Sequence, residues 1–162
     1  MQKHEEEPLG FLLGALLTIP ATHLSRRVSQ GLITAGFHDL RPAHTPVFQF
    51  LAKEGSRVTE LAEQAGMAKQ SMGYLIEYLE EHGYVERVKD PTDGRAQLVR
   101  RTSRGWQVNR AAAQVVAEIQ QEWTQLLGEQ HMKHLLSLLS DLVSLLGEPY
   151  PGSVAEFSRE GV

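Results

Sequence analysis

Three consecutive residues with clear binding chemistry, Lys69, Gln70 and Ser71, begin an amphipathic helical pattern. A lysine ammonium binds phosphate oxygens, and a glutamine amide pairs with adenine through two hydrogen bonds that discriminate by roughly 1–3 kcal/mol. At about 100° per residue, Gly73, Tyr74 and Glu77 also point outward. The opposite side is apolar and consists of Met72, Leu75, Ile76 and Leu79. This arrangement is typical of a helix that reads base edges in a DNA groove.

Gly73 is unusual inside such a helix, because glycine costs about 1 kcal/mol relative to alanine there. Close approach to DNA, close approach to another backbone, or neutral variation on an exposed face would each account for it.

A basic segment follows this helix. Residues 87–104 contain six basic and two acidic side chains, and Arg87 and Lys89 are suited to phosphate contacts. Within it, Asp93-Gly94-Arg95 is a turn sequence with an arginine at its exit, which suits insertion into a narrow minor groove. We expect Asp93 to hold the Arg95 side chain through a local ion pair.

The elements that must position these residues are a helix-turn-helix and a β-hairpin. Thr59 is suited to cap a first short helix that stops at Gly66, and Gly83 stops the second helix. Alternating residues then predict two strands around a turn. The expected elements are helices at 60–65 and 69–82, strands at 84–89 and 96–102, and a turn at 90–95.

Helical patterns flank this unit on both sides. The first runs from Leu9 to about Ala35, and Pro20 should either kink or divide it. Another begins at Pro42 and stops at Gly55. Thr102 should cap a helix that reaches about 127, and the last helix runs from about 129 to 146. The predicted fold is therefore mainly α with a small β-hairpin wing. Its parts are helical regions for dimerisation at 9–36 and 103–146, a winged helix-turn-helix at 42–102, and flexible or irregular tails at 1–8 and 147–162.

The first and last helices carry more leucine than one packing face can use, so a monomer would expose a large apolar patch. A two-fold homodimer would cover it and present two reading helices to successive major grooves about 34 Å apart. The residues assigned to this interface are Leu12, Leu16, Leu135, Leu138, Leu139, Leu142 and Leu145.

Composition limits the alternatives. The chain has 162 residues, a formal charge of −4 and no cysteine, which excludes disulfides and thiolate metal sites. The apolar run 9–20 is too short to span a bilayer and follows three glutamates, so a cytoplasmic protein without a membrane partner is expected. No catalytic motif is present, and His131 and His134 lack further ligands nearby, so no enzyme activity, metal or cofactor is predicted.

The segments TELAEQAGM, LIEYLEEHGYVERV and DPTDGRAQLVRRTSRG resemble the winged helix-turn-helix of MarR-type transcriptional regulators, over about residues 9–146. The D-x-R wing motif of that family falls on Asp93 and Arg95. The resemblance implies a homodimer that binds a pseudo-palindromic double-stranded operator and is released by a small ligand. The chain departs from the family pattern at Ala68, where a capping Ser or Thr is common, and at Tyr74 and Tyr78, where arginine is common.

The resemblance also implies an effector pocket between the dimer helices and the winged unit. His23, Arg27, His44 and Trp106 are the candidates to line it, and they would suit an aromatic acid. Ordinary packing or surface positions are the alternative for each of them. Repression is the expected mode of regulation, since a dimer on a promoter most simply blocks polymerase. The alternative is a winged-helix module that binds protein instead of DNA.

Overall fold

Six α-helices and one antiparallel hairpin make up residues 9–147, the part of the chain that the computed structural model describes. The elements are α1 (Leu9–Thr34), a 3-10 turn (Pro42–His44), α2 (Thr45–Phe50), α3 (Val58–Gln64), α4 (Lys69–Glu81), β1 (Val85–Asp90), β2 (Asp93–Arg101), α5 (Ser103–Leu127) and α6 (Glu129–Leu146). The predicted fold class is confirmed. The predicted tails at 1–8 and 147–162 lie outside the described residues, except for Gly147, which is the C-cap of α6. Between residues 9 and 147, no helix has the length and hydrophobicity needed to cross a bilayer.

The structure decides between the two alternatives for Pro20 and corrects the prediction for Pro42. Pro20 lies inside an unbroken α1, so it does not divide the helix. Pro42 begins a 3-10 turn, and the following α-helix ends at Phe50, well before Gly55. Leu51 is already extended and fully buried, and Ser56 then pairs with Val99 of β2. The chain therefore leaves the helix early to bury Leu51 and to meet the hairpin.

Thr59 does not cap α3, contrary to the prediction. The helix already begins at Val58, and the backbone amide of Arg57 donates to Oε2 of Glu60 at 2.8 Å. A glutamate one turn into the helix thus replaces the expected threonine cap. Gly66 and Gly83 end their helices in the left-handed region, with φ of +61° and +72°, as predicted.

The core lies within the winged unit (residues 42–102) and the start of α5. Its buried apolar side chains come from all three α-helices and both strands of the winged unit, which fixes α4 against α2, α3 and the hairpin. They include Val47, Leu51, Leu61, Met72, Ile76, Leu79, Tyr84 and Val99. Outside this unit α1 packs on α5, where Gly31 allows a close crossing because a Cβ there would overlap Val115.

Candidate nucleic-acid interface

The two sides of α4 differ as the sequence predicts. Met72, Ile76 and Leu79 are fully buried, and Leu75 is partly buried. Within residues 9–147 nothing covers the opposite side, where the side chains of Lys69, Gln70, Ser71, Tyr74 and Glu77 are all exposed. Helix α4 is therefore anchored by one side and open to a partner on the other.

Gln70 and Tyr74 are bonded to each other on the open side of α4. Nε2 of Gln70 donates to the hydroxyl of Tyr74 at 3.0 Å, and Tyr74 is 61% exposed. This bond orients the glutamine amide, leaving Oε1 and the second amide hydrogen for a base edge. Gly73 lies between them, and a Cβ built there would have no atom within 4 Å. The protein's own packing therefore does not require glycine at this position.

The wing turn is shorter than predicted. Asp90 pairs with Asp93 in the hairpin, so only Pro91 and Thr92 connect the strands, and β2 begins three residues before the expected Ala96. An irregularity after Lys89 shifts the register and accommodates this tight connection. Asp93 and Arg95 are thus the first exposed residues of a strand, instead of the turn itself.

Asp93 does not form the expected ion pair with Arg95. Its Oδ1 accepts a hydrogen bond from the backbone amide of Arg95 at 3.1 Å, and its Oδ2 lies 3.7 Å from Nη2 of Arg57. The guanidinium of Arg57 therefore attracts Asp93 toward the base of the wing. The guanidinium of Arg95 is exposed and has no ion-pair partner among the described residues.

Asp90 organises the base of the wing. Its Oδ1 accepts from the amide and hydroxyl of Thr92 at 2.8 and 2.6 Å, and its Oδ2 accepts from Nε and Nη2 of Arg57 at 3.0 and 2.6 Å. The bonds from Thr92, followed by that from Arg57, lower the pKa of Asp90 to about 2. A buried carboxylate thus ties the turn of the hairpin to the start of α3, a role that sequence reasoning did not find.

The basic side chains near the wing differ in whether they are ion-paired within the protein. Nη1 of Arg87 lies 3.0 Å from Oε2 of Glu80 on α4, so the positive charge of this predicted phosphate contact is partly neutralised. Lys69, Lys89 and Arg95 are exposed, and no ion pair involves them within residues 9–147. These three side chains are the better candidates for phosphate contacts.

The first residues of α4 lack the help of a capping side chain. Ala68 occupies the N-cap position, and its methyl group cannot hydrogen-bond to the helix.

Tyr78 stands where MarR-type regulators commonly have an arginine, but its hydroxyl donates to the backbone carbonyl of Asp39 at 2.8 Å. This tyrosine is therefore engaged by its own chain and is not part of the open side of α4.

The structure does not bring the four effector candidates into one site. Arg27 binds Glu122 through two hydrogen bonds of 2.9 and 2.8 Å, and His23 lies near Trp123. His44 is buried against Tyr78, and Trp106 faces Arg101. Only His23 and Arg27 share a neighbourhood, between α1 and α5, because the other two side chains are used in packing the winged unit. In the described part of the chain, no three His, Asp or Glu side chains converge to hold a metal ion.

The leucines assigned to a dimer interface are all exposed in the single chain. Their exposed fractions run from 37% for Leu135 to 85% for Leu145, and Leu12 and Leu16 are 53% and 60% exposed. Phe11 and Ile19 extend the apolar surface of α1, at 82% and 68%. This is the apolar patch that the leucine pattern predicts for an isolated copy.

Residues 38–96 match the model of the MarR family, which covers the helix-turn-helix and most of the wing. The resemblance to MarR-type winged-helix regulators is thereby confirmed over this region. A search among curated proteins found no match.

Solved structures extend the likeness to most of the chain. A MarR-family transcriptional regulator from Rhodococcus sp. RHA1 has 22% identity and a TM-score of 0.65, over 85% of this chain and 96% of that one. A mutant of MepR from S. aureus, bound to an oligodeoxyribonucleotide, has 18% identity and a TM-score of 0.57, over 83% and 97%. MepR bound to ethidium bromide has 18% identity and a TM-score of 0.58, over 82% and 95%. At these identities the likeness shows a common fold.

Proposed function

We propose that this protein is a sequence-specific regulator of transcription that binds double-stranded DNA through its winged helix-turn-helix. The observation that carries the proposal is the polar side of α4, which the described part of the chain leaves open while the apolar side packs into the core. The match of residues 38–96 to the MarR family supports it, as does the likeness to a MepR mutant bound to an oligodeoxyribonucleotide.

In this proposal α4 enters the major groove and the wing approaches the adjacent minor groove. Gln70 reads a base edge while Tyr74 orients its amide, and Gly73 allows close approach. The phosphates are bound by Lys69, Ser71 and Lys89, with Arg87 contributing less because of its bond to Glu80. Arg95 inserts into the narrow groove, and Asp93 fixes the backbone at its base through the Arg95 amide.

We further propose a homodimer that pairs the exposed leucines of α1 and α6 and binds a pseudo-palindromic operator. Residues 9–36 and 103–146 would form the dimer region and residues 42–102 the DNA-binding domain. Repression by blocking polymerase, relieved by a small ligand, completes the proposal. The likeness to MepR bound to ethidium bromide supports a ligand response in a protein of this fold. We assign no residues to the ligand site, because three of the four candidates for the effector pocket pack or pair within the chain.

The test begins with selection of bound sequences from a random pool of DNA duplexes. A pseudo-palindrome with half-sites about one helical turn apart is the expected result. Binding to the selected operator should weaken steeply with salt, since each phosphate contact releases counterions. Arg95→Ala should lower the affinity and flatten that salt dependence.

Arg100→Ala is the matched control, because Arg100 lies on the same strand but is paired with Glu86 at 2.7 Å. It should change the salt dependence less than Arg95→Ala does. Equal binding by Arg95→Ala and the parent at every salt concentration would refute the assignment of the wing. Selection that yields no duplex at all would favour a protein-interaction module, for which the exposed ring of Tyr74 would be available.

A further inference from the structure

Tyr78 links the recognition helix to the segment that joins α1 to the winged unit. Its hydroxyl donates to the backbone carbonyl of Asp39 at 2.8 Å, across 39 positions of sequence. Its ring is stacked between two imidazoles, that of His44 at 4.6 Å and that of His82 at 3.9 Å, with interplanar angles of 16° and 22°. The side chain is partly buried, and it also packs against the hydrophobic core of the winged unit.

Each ring of this stack is held by a separate backbone bond. Nδ1 of His44 accepts from the amide of Arg41 at 3.1 Å, and Nδ1 of His82 lies 2.7 Å from the carbonyl of Tyr78. The three rings belong to the 3-10 turn, to α4 and to the C-cap of α4, so the stack holds the 3-10 turn against the recognition helix. The bonds from the Arg41 amide to His44 and from Tyr78 to the Asp39 carbonyl connect this stack to the joining segment.

Asp39 extends the connection from α4 to α5. Its carboxylate accepts from the hydroxyl of Tyr84 and lies 3.3 Å from Nη2 of Arg104, and Arg104 also covers the ring of Tyr84 at 4.5 Å. Burial, together with the bond to Asp39, raises the pKa of Tyr84 to about 12, so this phenol stays protonated as a donor. One residue of the joining segment is thus bonded to α4, to the start of the hairpin and to the start of α5.

We propose that Tyr78 is a positioning residue that sets the half-site spacing a dimer accepts, by holding α4 at a fixed angle to α1 and α5. This inference rests on the proposed function, in which α1, α5 and α6 form the dimer region. The distance between two recognition helices then depends on how rigidly each winged unit is joined to those helices. The contacts of Tyr78, Asp39 and Arg104 are the polar part of that joint.

Tyr78→Phe is the most selective test, because it retains the stacked ring and removes only the hydroxyl. Binding is measured to a series of duplexes in which the spacer of the selected operator is shortened or lengthened by one or two base pairs. The parent should strongly prefer one spacing, since every added base pair also rotates one half-site about the axis. Tyr78→Phe should reduce that preference by roughly twofold to tenfold, the equivalent of one ordinary hydrogen bond.

Tyr74→Phe is the matched control, since it removes a hydroxyl from the open side of the same helix. It should weaken binding by a similar factor at every spacing. Arg104→Gln removes the ion pair between Arg104 and the carboxylate of Asp39 at an exposed position, and it should broaden the spacing preference as Tyr78→Phe does, even if the latter folds poorly.

The spacing series distinguishes two failures. If the parent prefers one spacing, and Tyr78→Phe and Arg104→Gln keep that preference unchanged or lose affinity equally at all spacings, Tyr78 has a structural role only and the inference is wrong. If the parent binds no duplex of any spacing, the proposed function itself is wrong, and this inference with it.

Discussion

The guanidinium of Arg101 lies 4.8 Å from the centre of the Trp106 ring, and only 3% of Arg101 is exposed. Its Nη2 donates to the carbonyl of Phe48 at 2.7 Å, and its Nη1 lies 3.4 Å from the carbonyl of Ala52. A buried cation of β2 thereby satisfies carbonyls at the end of α2, while Trp106 covers one face of it. Trp106, a candidate for an effector pocket, thus contacts Arg101 where the wing meets α5.

Arg101→Met should lower the free energy of unfolding by about 2–4 kcal/mol, because it keeps the aliphatic stem but leaves buried carbonyls without a donor. Urea unfolding at neutral pH, monitored by circular dichroism, measures this change.

Arg100→Met is the natural comparison, since Arg100 is adjacent in sequence but exposed and bonded to Glu86. It should change the same free energy by less than about 1 kcal/mol, as exposed ion pairs do. Equal losses for the two variants would contradict the assigned role of Arg101.

Asp90→Asn should loosen the wing. An amide at this position cannot accept at both atoms, so it cannot satisfy both Arg57 and Thr92. We expect faster hydrogen exchange at the amide of Thr92 and weaker binding to the selected operator. Glu86→Gln, which breaks an exposed ion pair on the same hairpin, should leave the exchange of Thr92 unchanged.

Asp90 also gives the winged unit a dependence on acid. The pKa of Asp90 falls from an ordinary 3.8 to about 2 in the folded protein. The stability that the ionised carboxylate contributes is therefore complete above pH about 4 and is lost as the pH falls toward 2. Asp90→Asn should therefore flatten this part of the stability profile between pH about 4 and 2. An acid profile identical to that of the parent would show that these bonds do not lower the pKa of Asp90 in the folded protein.

Local patterns were sufficient to predict α4 and α6. Their apolar residues recur at helical spacing, and the glycines that end them, Gly83 and Gly147, take positive φ. The open side of α4 follows from the same periodicity, because the residues opposite a buried stripe must face outward. The resemblance to MarR-type regulators rests on α3, on the second half of α4 and on the wing.

Contacts between distant segments could not be predicted in this way. Tyr78 lies at the edge of the buried stripe of α4, and its partner is a backbone carbonyl far away in sequence, so no spacing rule reveals it. The predicted turn at 90–95 is too long, because Asp90 bonds to Thr92 and Arg57 and pairs with Asp93, which shortens the connection. The effector candidates follow from the family resemblance and from their chemistry, and neither reveals that His44 and Trp106 pack within the winged unit, away from His23 and Arg27.

The apolar surfaces of α1 and α6 predict self-association. Leu138→Glu with Leu142→Glu should convert a dimer to a monomer, because two charges would be buried in an apolar interface. Sedimentation equilibrium measures the mass directly. Ser137→Glu with Lys133→Glu, at exposed polar positions of the same helix, should leave the mass unchanged. A parent protein that sediments as a monomer would contradict the dimer.

His44 should make the winged unit less stable in mild acid. Burial, and then the charges of Arg41 and His82, lower the pKa of His44, and protonation of Nδ1 would break its bond to the Arg41 amide. As the pH falls below about 6.5, the unfolded chain takes up a proton at this histidine while the folded protein resists it. The free energy of unfolding should therefore decrease as the pH falls from about 7.5 to about 5.5, and the decrease should be smaller in His44→Gln, which can still accept from the amide.

His134→Gln, at an exposed position of α6, is the control and should retain the full decrease. If His44→Gln loses as much stability over this range as the parent, another group is responsible and His44 is not held neutral by its surroundings.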